Sequence, residues 1–245
     1  MDYRGGKEWI VVTYKEFKDA VRVKTREKMN IYLGKYRNRK LSNKNVTIIS
    51  NNCWGGHVYR YLGIEYLSPT IGLYFFADDY VKFCKNLKYY IDQELQFISV
   101  DESKHKDNLV ERNTICPIGV LDDVEIVFLH YKSQQEALEK WKRRSKRINW
   151  NNIVFKFSEQ NYCSMKEIIE FDKLPYDRKI MFTTKDYHVK SQILWGGICI
   201  KGDIPNDTVL FRKFIDLIKF INGKIAKKRQ RYAEKRLKKL NKAEV

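Results

Sequence analysis

The residue of this sequence best placed to do chemistry is Cys53. It follows the apolar run 46–49, which predicts a buried strand, and it precedes a short predicted helix over 57–62. Ligands of an open α/β sheet bind beyond the carboxyl ends of the strands. Amide N–H groups at the start of a helix favour a thiolate. The sequence therefore predicts a nucleophilic cysteine whose thiol pKa is lowered.

A cysteine nucleophile also needs a base within hydrogen-bonding reach, and two histidines compete for that role. His130 ends the predicted strand 124–129, so it could project onto the same sheet edge as Cys53. His57 lies four residues after Cys53. A second interpretation stays open, in which Cys53 is a small buried hydrophobe beside Trp54 and His130 bonds only to backbone.

Further side chains around these two candidates are suited to holding a substrate. The pair Gly55-Gly56 permits a tight turn and close approach of a ligand. Arginine forks can clamp a phosphate or a carboxylate, although those after residue 140 could equally face solvent. The predicted substrate-binding residues are Asn51, Asn52, Trp54, Gly55, Gly56, His57, Ser68, Tyr131, Arg143, Arg144 and Arg147.

Neither a metal nor a cofactor is predicted. Cys53 and His57 are four residues apart, but no nearby residue supplies two more ligands. The acidic pair Asp78-Asp79 is better explained as a helix cap, and His105 is expected at the surface. Glycine spacing typical of a dinucleotide site or a P-loop is missing from the sequence.

The elements that must position these residues alternate between strands and helices, which predicts an α/β fold with a mostly parallel sheet flanked by helices. Predicted strands cover 46–49, 124–129, 153–157, 179–184 and 192–200. Predicted helices cover 14–40, 57–62, the segment after the acidic pair through 80–91, 134–147 and 165–171. From residue 208 onward the pattern predicts one long C-terminal helix that becomes strongly basic. We therefore expect a single α/β domain over 1–223 and a basic helical extension over 224–245.

Composition excludes several classes of protein. The chain has 245 residues and is 43% hydrophobic, so a packed core is expected. It contains neither an apolar run long enough to span a membrane nor the apolar core of a signal peptide. The five cysteines are odd in number and widely spaced, which favours a reducing, cytoplasmic location.

Positive charge dominates the chain, with 48 Lys and Arg against 30 Asp and Glu. Residues 224–245 alone hold ten Lys and Arg against two acidic residues. Such a segment suits peripheral contact with an anionic membrane, although it could also be a solvated helix face. Nucleic acid is not an expected partner, because the sequence lacks helix-turn-helix, zinc and RNA-recognition signatures.

The chain contains, in this order, ISNNCWGGH at 49–57, YLSPT at 66–70, FLHY at 128–131 and the run 136–149. With these and other segments between residues 10 and 200, the sequence resembles an uncharacterised bacterial family, the domain of unknown function nineteen-nineteen, whose members are labelled exopolysaccharide-biosynthesis proteins. The resemblance implies a pathway, capsule or exopolysaccharide assembly, but no reaction. A fainter likeness to papain-like cysteine peptidases of unknown function implies Cys53 as nucleophile and His130 as base. The third, orienting residue would be Asn161 or Asp172.

Three functions follow as expectations. The first is a Cys53-dependent transferase or hydrolase acting on a glycan or acyl-glycan. The second is a non-covalent glycosyl- or phosphoglycosyl-transferase, in which arginines hold a nucleotide-sugar or a lipid diphosphate and Cys53 is structural. The third is a non-catalytic basic binding module. In the first two, the expected partner is a glycan or glycolipid precursor at the inner face of the membrane.

Overall fold

The computed structural model describes residues 25, 28–29, 32–195, 204 and 207–224. The strands are β1 (Thr47–Ser50), β2 (Gln96–Ile98), β3 (Ile118–Leu121), β4 (Val124–Val127), β5 (Ile153–Ser158), β6 (Lys179–Thr183) and β7 (Gln192–Leu194). The helices are α1 (described over 32–39), α2 (Trp54–Leu62), α3 (Ala77–Lys85), α4 (Leu87–Asp92), α5 (Lys106–Glu111), α6 (Gln134–Ser145), α7 (Met165–Lys173), α8 (Asp207–Leu210) and α9 (Leu217–Ile221). A short 3₁₀ helix, Phe211–Lys213, follows α8.

The main sheet is parallel, with strand order β1-β5-β6-β7. Its two faces bury alternate residues of the same strands, as the two-residue period of a strand requires. Ile48 and Val154 pack with α2 and the C-terminal helices, while Ile49 and Phe155 pack with α3 and α7. Helices on both faces of a mostly parallel sheet confirm the predicted α/β class.

A second sheet is antiparallel, with order β2-β3-β4. The extended chain before α3 connects it to the main sheet. Tyr74 exchanges two backbone hydrogen bonds of 2.9 Å with Val127, and the next amide, that of Phe75, donates to the carbonyl of Asn51 at 3.1 Å. The carboxyl end of β1 is thereby held beside the end of β4. The sequence did not predict β2 or β3.

The prediction of a single long helix from residue 208 is wrong in the described range. The chain forms α8, the 3₁₀ helix and then α9, and Gly223 follows with φ +87°. Asp216 restarts the helix, because its side chain accepts from the amide of Lys219 and caps α9. Phe211 and Ile215 pack into the core at the break, so burial favours the interrupted path. The basic extension from 225 onward, most of the predicted helix 14–40 and the end of the predicted strand 192–200 lie outside the described residues.

Candidate functional site

The turn between β1 and α2 presents Cys53 in a fixed position. Cys53 is the N-cap residue of α2, with φ −64° and ψ 0°. On one side Ser50 Oγ donates to the carbonyl of Asn52 at 2.8 Å and accepts from the amide of Gly55 at 3.2 Å. On the other side Asn52 Oδ1 accepts from the amide of Trp54 at 3.1 Å. Side chains of β1 and of the turn itself therefore bind the backbone on both sides of the thiol.

Gly55 allows α2 to start this close to the strand. A Cβ atom at this position would lie 3.0 Å from Ser50 Oγ, which is already engaged in the turn. At Gly56 a Cβ would meet only Ile71 Cγ2, at 3.4 Å. The close approach thus requires glycine at the first of the two positions.

A buried ion pair lies beneath the turn. Lys156 of β5 and Asp207 of α8 are almost completely buried, and Nζ lies 2.5 Å from Oδ2. Lys156 Nζ also donates to Asn52 Oδ1 at 2.9 Å. The same carboxylate oxygen of Asp207 accepts from Ser158 Oγ at 2.7 Å and from Asn52 Nδ2 at 2.9 Å. Burial lowers the pKa of Lys156. Burial also acts to raise the pKa of Asp207, but the Lys156 charge and the hydrogen bonds from Lys156, Asn52 and Ser158 together lower it.

The thiol pKa moves in the direction opposite to the prediction. Burial raises the pKa of Cys53 to about 11, and the carboxylate of Asp207 acts in the same direction. Lys156 and Arg60 favour the thiolate but do not overcome these effects. The lowered pKa expected from the helix start is therefore wrong, because burial and the Asp207 carboxylate raise the thiol pKa more than the neighbouring cations lower it. In the resting protein the thiol is neutral near pH 7.

Two cavities meet at this thiol, and Cys53, His57 and His130 line both of them. The larger cavity is about 630 Å³. Its polar lining is mainly uncharged and includes Asn52, Asn113, Thr114, Gln160 and Asn161. The smaller cavity is about 470 Å³, and its lining includes Arg60, Lys140 and Arg144. The thiol thus lies between a largely neutral polar compartment and a cationic one.

His130 reaches the site from the antiparallel sheet, not from a parallel strand beside β1. It lies three residues after β4, and its amide donates to the carbonyl of Gly72 at 2.9 Å. Gly72 has φ +76°, and a Cβ there would lie 3.4 Å from the Cβ of His130. Sγ of Cys53 faces the carbonyl of Leu73 at 4.0 Å, and within the described residues no hydrogen bond joins it to His130. A proton transfer between thiol and imidazole therefore needs a movement of either side chain or a bridging group.

The structure brings seven of the predicted site residues to these cavities. They are Asn52, Cys53, Gly56, His57, His130, Tyr131 and Arg144. The other six predicted residues do not line either cavity. They are Asn51, Trp54, Gly55, Ser68, Arg143 and Arg147.

Each residue outside the cavities has a structural environment of its own. Asn51 is buried and hydrogen-bonds the backbone of Ser158. Trp54 packs edge-on against Phe182 and Phe211 in the core. Ser68 accepts from the amide of Thr70 in a buried turn. Arg143 is exposed, and Arg147 pairs with Glu65 at 2.5 Å on the surface.

Of the two candidates for an orienting residue, Asn161 lines the larger cavity. Its amide donates to the carbonyl of Phe75 at 2.8 Å and accepts from Arg112 at 2.8 Å. Asp172 lies elsewhere and accepts from the amide and hydroxyl of Ser191, both at 2.7 Å. Asn161 is thus held in the wall of the larger cavity by its hydrogen bonds. Asp172 instead anchors the loop that precedes β7.

The acidic pair does not cap α3, contrary to the prediction. The N-cap is Phe76, and Asp79 is buried in a cluster with Lys104 and His105. The ring of His105 stacks on Phe76 with centroids 3.8 Å apart, so this histidine is not the surface residue that was expected. Asp78, Asp79 and His105 bring ligand atoms close together, but the Lys104 ammonium already neutralises the Asp79 carboxylate.

Sequence reasoning missed Lys156 and Asp207, as well as the cavity residues Arg60, Arg112 and Lys140. One of them carried a usable signal. Lys156 interrupts the apolar strand 153–157, and a lysine in a buried strand requires a buried partner. The partner could not be found, because Asp207 lies 51 residues further along the chain and no local pattern marks it.

Within the part of the chain that is described, none of the helices is both long and apolar enough to span a bilayer.

Comparison with known proteins agrees with the resemblance seen in the sequence. An uncharacterised protein of Haemophilus influenzae is 32% identical over 174 residues, covering 71% of this chain and 77% of that protein. A family model described as a domain of unknown function (DUF1919) matches residues 21–222, a range that contains Cys53, both cavity histidines and the buried ion pair. The chain therefore belongs to the DUF1919 family.

Proposed function

We propose that this protein is a Cys53-dependent transferase or hydrolase that acts on a glycan or acyl-glycan in the assembly of a bacterial surface polysaccharide. One observation carries the proposal. Cys53 lies where two cavities meet, and His57 and His130 line both cavities with it. A nucleophile and candidate bases facing a common space form the arrangement that covalent catalysis needs.

The high thiol pKa determines how such a reaction would proceed. Because the thiol is protonated at rest, a base must remove the proton as Sγ attacks the acyl carbonyl carbon. We assign this proton to the imidazole of His130, which then passes it to the leaving alcohol oxygen as the ester C–O bond breaks. Water or an acceptor hydroxyl next attacks the thioester, and its proton returns to sulfur through the same imidazole.

The larger cavity supports a glycan as substrate. Its side-chain amides both donate and accept hydrogen bonds, as sugar hydroxyls do. The ring of Tyr74 adds an apolar wall, and Ile115 and Leu129 lie exposed along the same lining. The sequence resembles a family whose members are labelled exopolysaccharide-biosynthesis proteins. That label is the source of the proposed link to surface polysaccharides.

The test is acyl transfer from p-nitrophenyl acetate, a simple activated ester. We expect a burst of about one nitrophenolate per protein, with the acetyl group on the Cys53 peptide by mass spectrometry. The matched control is Cys116→Ser, because Cys116 lines the same larger cavity. Cys53→Ser should abolish the burst, Cys116→Ser should preserve it, and His130→Gln should slow it about 100-fold. Acetylation that is unchanged in Cys53→Ser would contradict the proposal.

A second candidate is a non-covalent glycosyl- or phosphoglycosyl-transferase. The cationic lining of the smaller cavity favours it, since nucleotide-sugars and lipid diphosphates are anionic. In that case Cys53→Ser would keep full transferase activity, whereas Arg144→Gln would lose it. Cys53→Ser thus discriminates between the two candidates.

We further propose that residues 224–245 attach the protein to an anionic membrane, where lipid-linked glycans are assembled. The support is the excess of ten basic over two acidic residues in this segment.

A further inference from the structure

We propose that the smaller cavity is a phosphate subsite that takes a phosphate ester or a diphosphate group of the substrate. Three cationic side chains line it, namely Arg60, Lys140 and Arg144, together with His57 and His130. Among the described residues, no carboxylate lines this cavity. A phosphate carries close to two negative charges near pH 7, which matches such a lining better than a single carboxylate does.

Arg144 is the best-positioned of the three cations. One guanidinium nitrogen, Nη1, donates to the hydroxyl of Tyr131 at 2.6 Å and to the carbonyl of Ile71 at 3.2 Å. The guanidinium carbon lies 5.5 Å from the centre of the Tyr66 ring. These contacts are made to neutral groups, so they orient the guanidinium without neutralising its charge. An arginine held in this way is preorganised to bind phosphate oxygens.

The other two cations come from different helices. Lys140 of α6 lies 5.4 Å from the centre of the Tyr131 ring and pairs with Glu136 at 2.5 Å, so its charge is partly offset. Arg60 of α2 donates to Nδ1 of His57 at 3.4 Å. This contact makes Nδ1 the acceptor of the imidazole and adds no negative charge. Cations from two walls of the cavity can therefore contact one anionic group.

The subsite deepens the proposed function, and its role in catalysis rests on that function. Cys53 lines both cavities, so a phosphate in the smaller cavity would place the attached sugar or acyl-sugar in the larger cavity, across the thiol. The shared ligand chemistry is a phosphate group, which a soluble nucleoside diphosphate or a lipid-linked diphosphate could supply.

The first experiment is calorimetric titration of the full chain with inorganic pyrophosphate. The matched pair of variants is Arg144→Gln and Arg143→Gln, since Arg143 is the next residue of the same helix but is exposed outside the cavity. We expect Arg144→Gln to weaken binding about tenfold or more and Arg143→Gln to change it less than twofold. Lys140→Gln serves as a second cavity variant if Arg144→Gln folds poorly. The subsite would be overturned if the cavity variants and Arg143→Gln weakened pyrophosphate binding to the same extent.

A second readout uses the neighbouring thiol. For Cys53 we measure the rate of reaction with anionic iodoacetate divided by the rate with neutral iodoacetamide. This rate ratio should be higher in the wild-type protein than in Arg144→Gln, because Arg144 attracts the anionic reagent. Pyrophosphate should protect Cys53 from both reagents. The subsite would also be overturned if this rate ratio were the same in Arg144→Gln as in the wild-type protein and pyrophosphate did not protect Cys53.

Competition experiments then distinguish the two sources of phosphate. Uridine diphosphate represents the soluble source and farnesyl diphosphate the lipid-linked source. Displacement of pyrophosphate by either compound supports the subsite and identifies the source of the phosphate group. If neither compound displaces pyrophosphate, the subsite is overturned. Cys53→Ser should retain pyrophosphate binding. Absence of acetyl transfer to Cys53 in the wild-type protein, with pyrophosphate binding intact, would therefore reject the proposed function alone.

Discussion

At the scale of single residues, the electrostatics of the site depend on three neighbouring groups. The thiol of Cys53 lies within the influence of the Lys156 ammonium and the Asp207 carboxylate, which act on its pKa in opposite directions. The two charged groups neutralise each other at 2.5 Å. Burial therefore remains the main influence on the thiol, and the protein keeps it protonated until a base or a substrate intervenes.

Alkylation by iodoacetamide should report this protonated state. Because the pKa of Cys53 is about 11, we expect its rate to rise about tenfold per pH unit from pH 7 to 10 without a plateau. The same thiol in urea-unfolded protein is the control and should level off above its ordinary pKa of about 8.5. Asp207→Asn should lower the thiol pKa, since the carboxylate raises it. A plateau already reached near pH 7 in the folded protein would contradict this account.

The buried ion pair should also be visible in stability. Lys156→Met leaves the carboxylate of Asp207 buried without its cation, so we expect a loss of about 3–5 kcal/mol in the free energy of unfolding. Asp207→Leu combined with Lys156→Met removes both charges and should recover most of that loss. Urea unfolding followed by circular dichroism measures each variant. If the double variant were as unstable as the single one, packing and not charge pairing would explain the effect.

At the scale of elements, the site depends on how closely the start of α2 approaches β1. The hydroxyl of Ser50 lies between them and binds the amide of Gly55. An added methyl group at this position would displace either the hydroxyl or the helix. The position of Cys53 therefore depends on the packing of this helix against this strand.

The two neighbouring glycines provide a matched test. Gly55→Ala should destabilise the protein by about 1–3 kcal/mol, because its Cβ would lie 3.0 Å from Ser50 Oγ. Gly56→Ala makes only an ordinary contact with Ile71 and should be neutral or stabilising by up to about 1 kcal/mol through helix propensity. Thermal unfolding of both variants measures the difference. Equal melting temperatures of the two variants would mean that the approach of α2 to β1 does not require glycine at position 55.

At the scale of the whole molecule, the candidate site lies where the two sheets meet. Cys53 follows a strand of the parallel sheet, and His130 follows a strand of the antiparallel sheet. The bridge between Tyr74 and Val127 joins the two regions. The described residues lining both cavities fall within 52–208. The basic segment 224–245 is outside this range, so attachment and chemistry should be separable.

Truncation to residues 1–223 tests this separation. The shortened protein should keep acetyl transfer to Cys53 and pyrophosphate binding, because the described cavity residues are all retained. It should lose flotation with vesicles containing phosphatidylglycerol, which the full chain should show at low salt and lose at high salt. Neutral phosphatidylcholine vesicles are the control. Equal flotation of both proteins, or of the full chain with both lipids, would contradict membrane attachment through this segment.

The sequence alone determined the local parts of this account. The apolar run before Asn51 predicted β1, the turn residues predicted the break at Cys53, and alternating strands and helices predicted the α/β class. These features depend on neighbours along the chain, so pattern and turn chemistry suffice to find them. The antiparallel sheet was missed because β2 and β3 are short and carry little of the alternating pattern.

The tertiary structure alone decided which groups share the site and how they are charged. Lys156 meets Asp207 across 51 residues, and Arg144 lines a cavity that its neighbour Arg143 does not. The thiol pKa follows burial, which no run of residues around Cys53 expresses, and the local helix signal predicted the wrong direction. The physical reason is that desolvation and charge pairing depend on distances in space, whereas the sequence reports only distances along the chain.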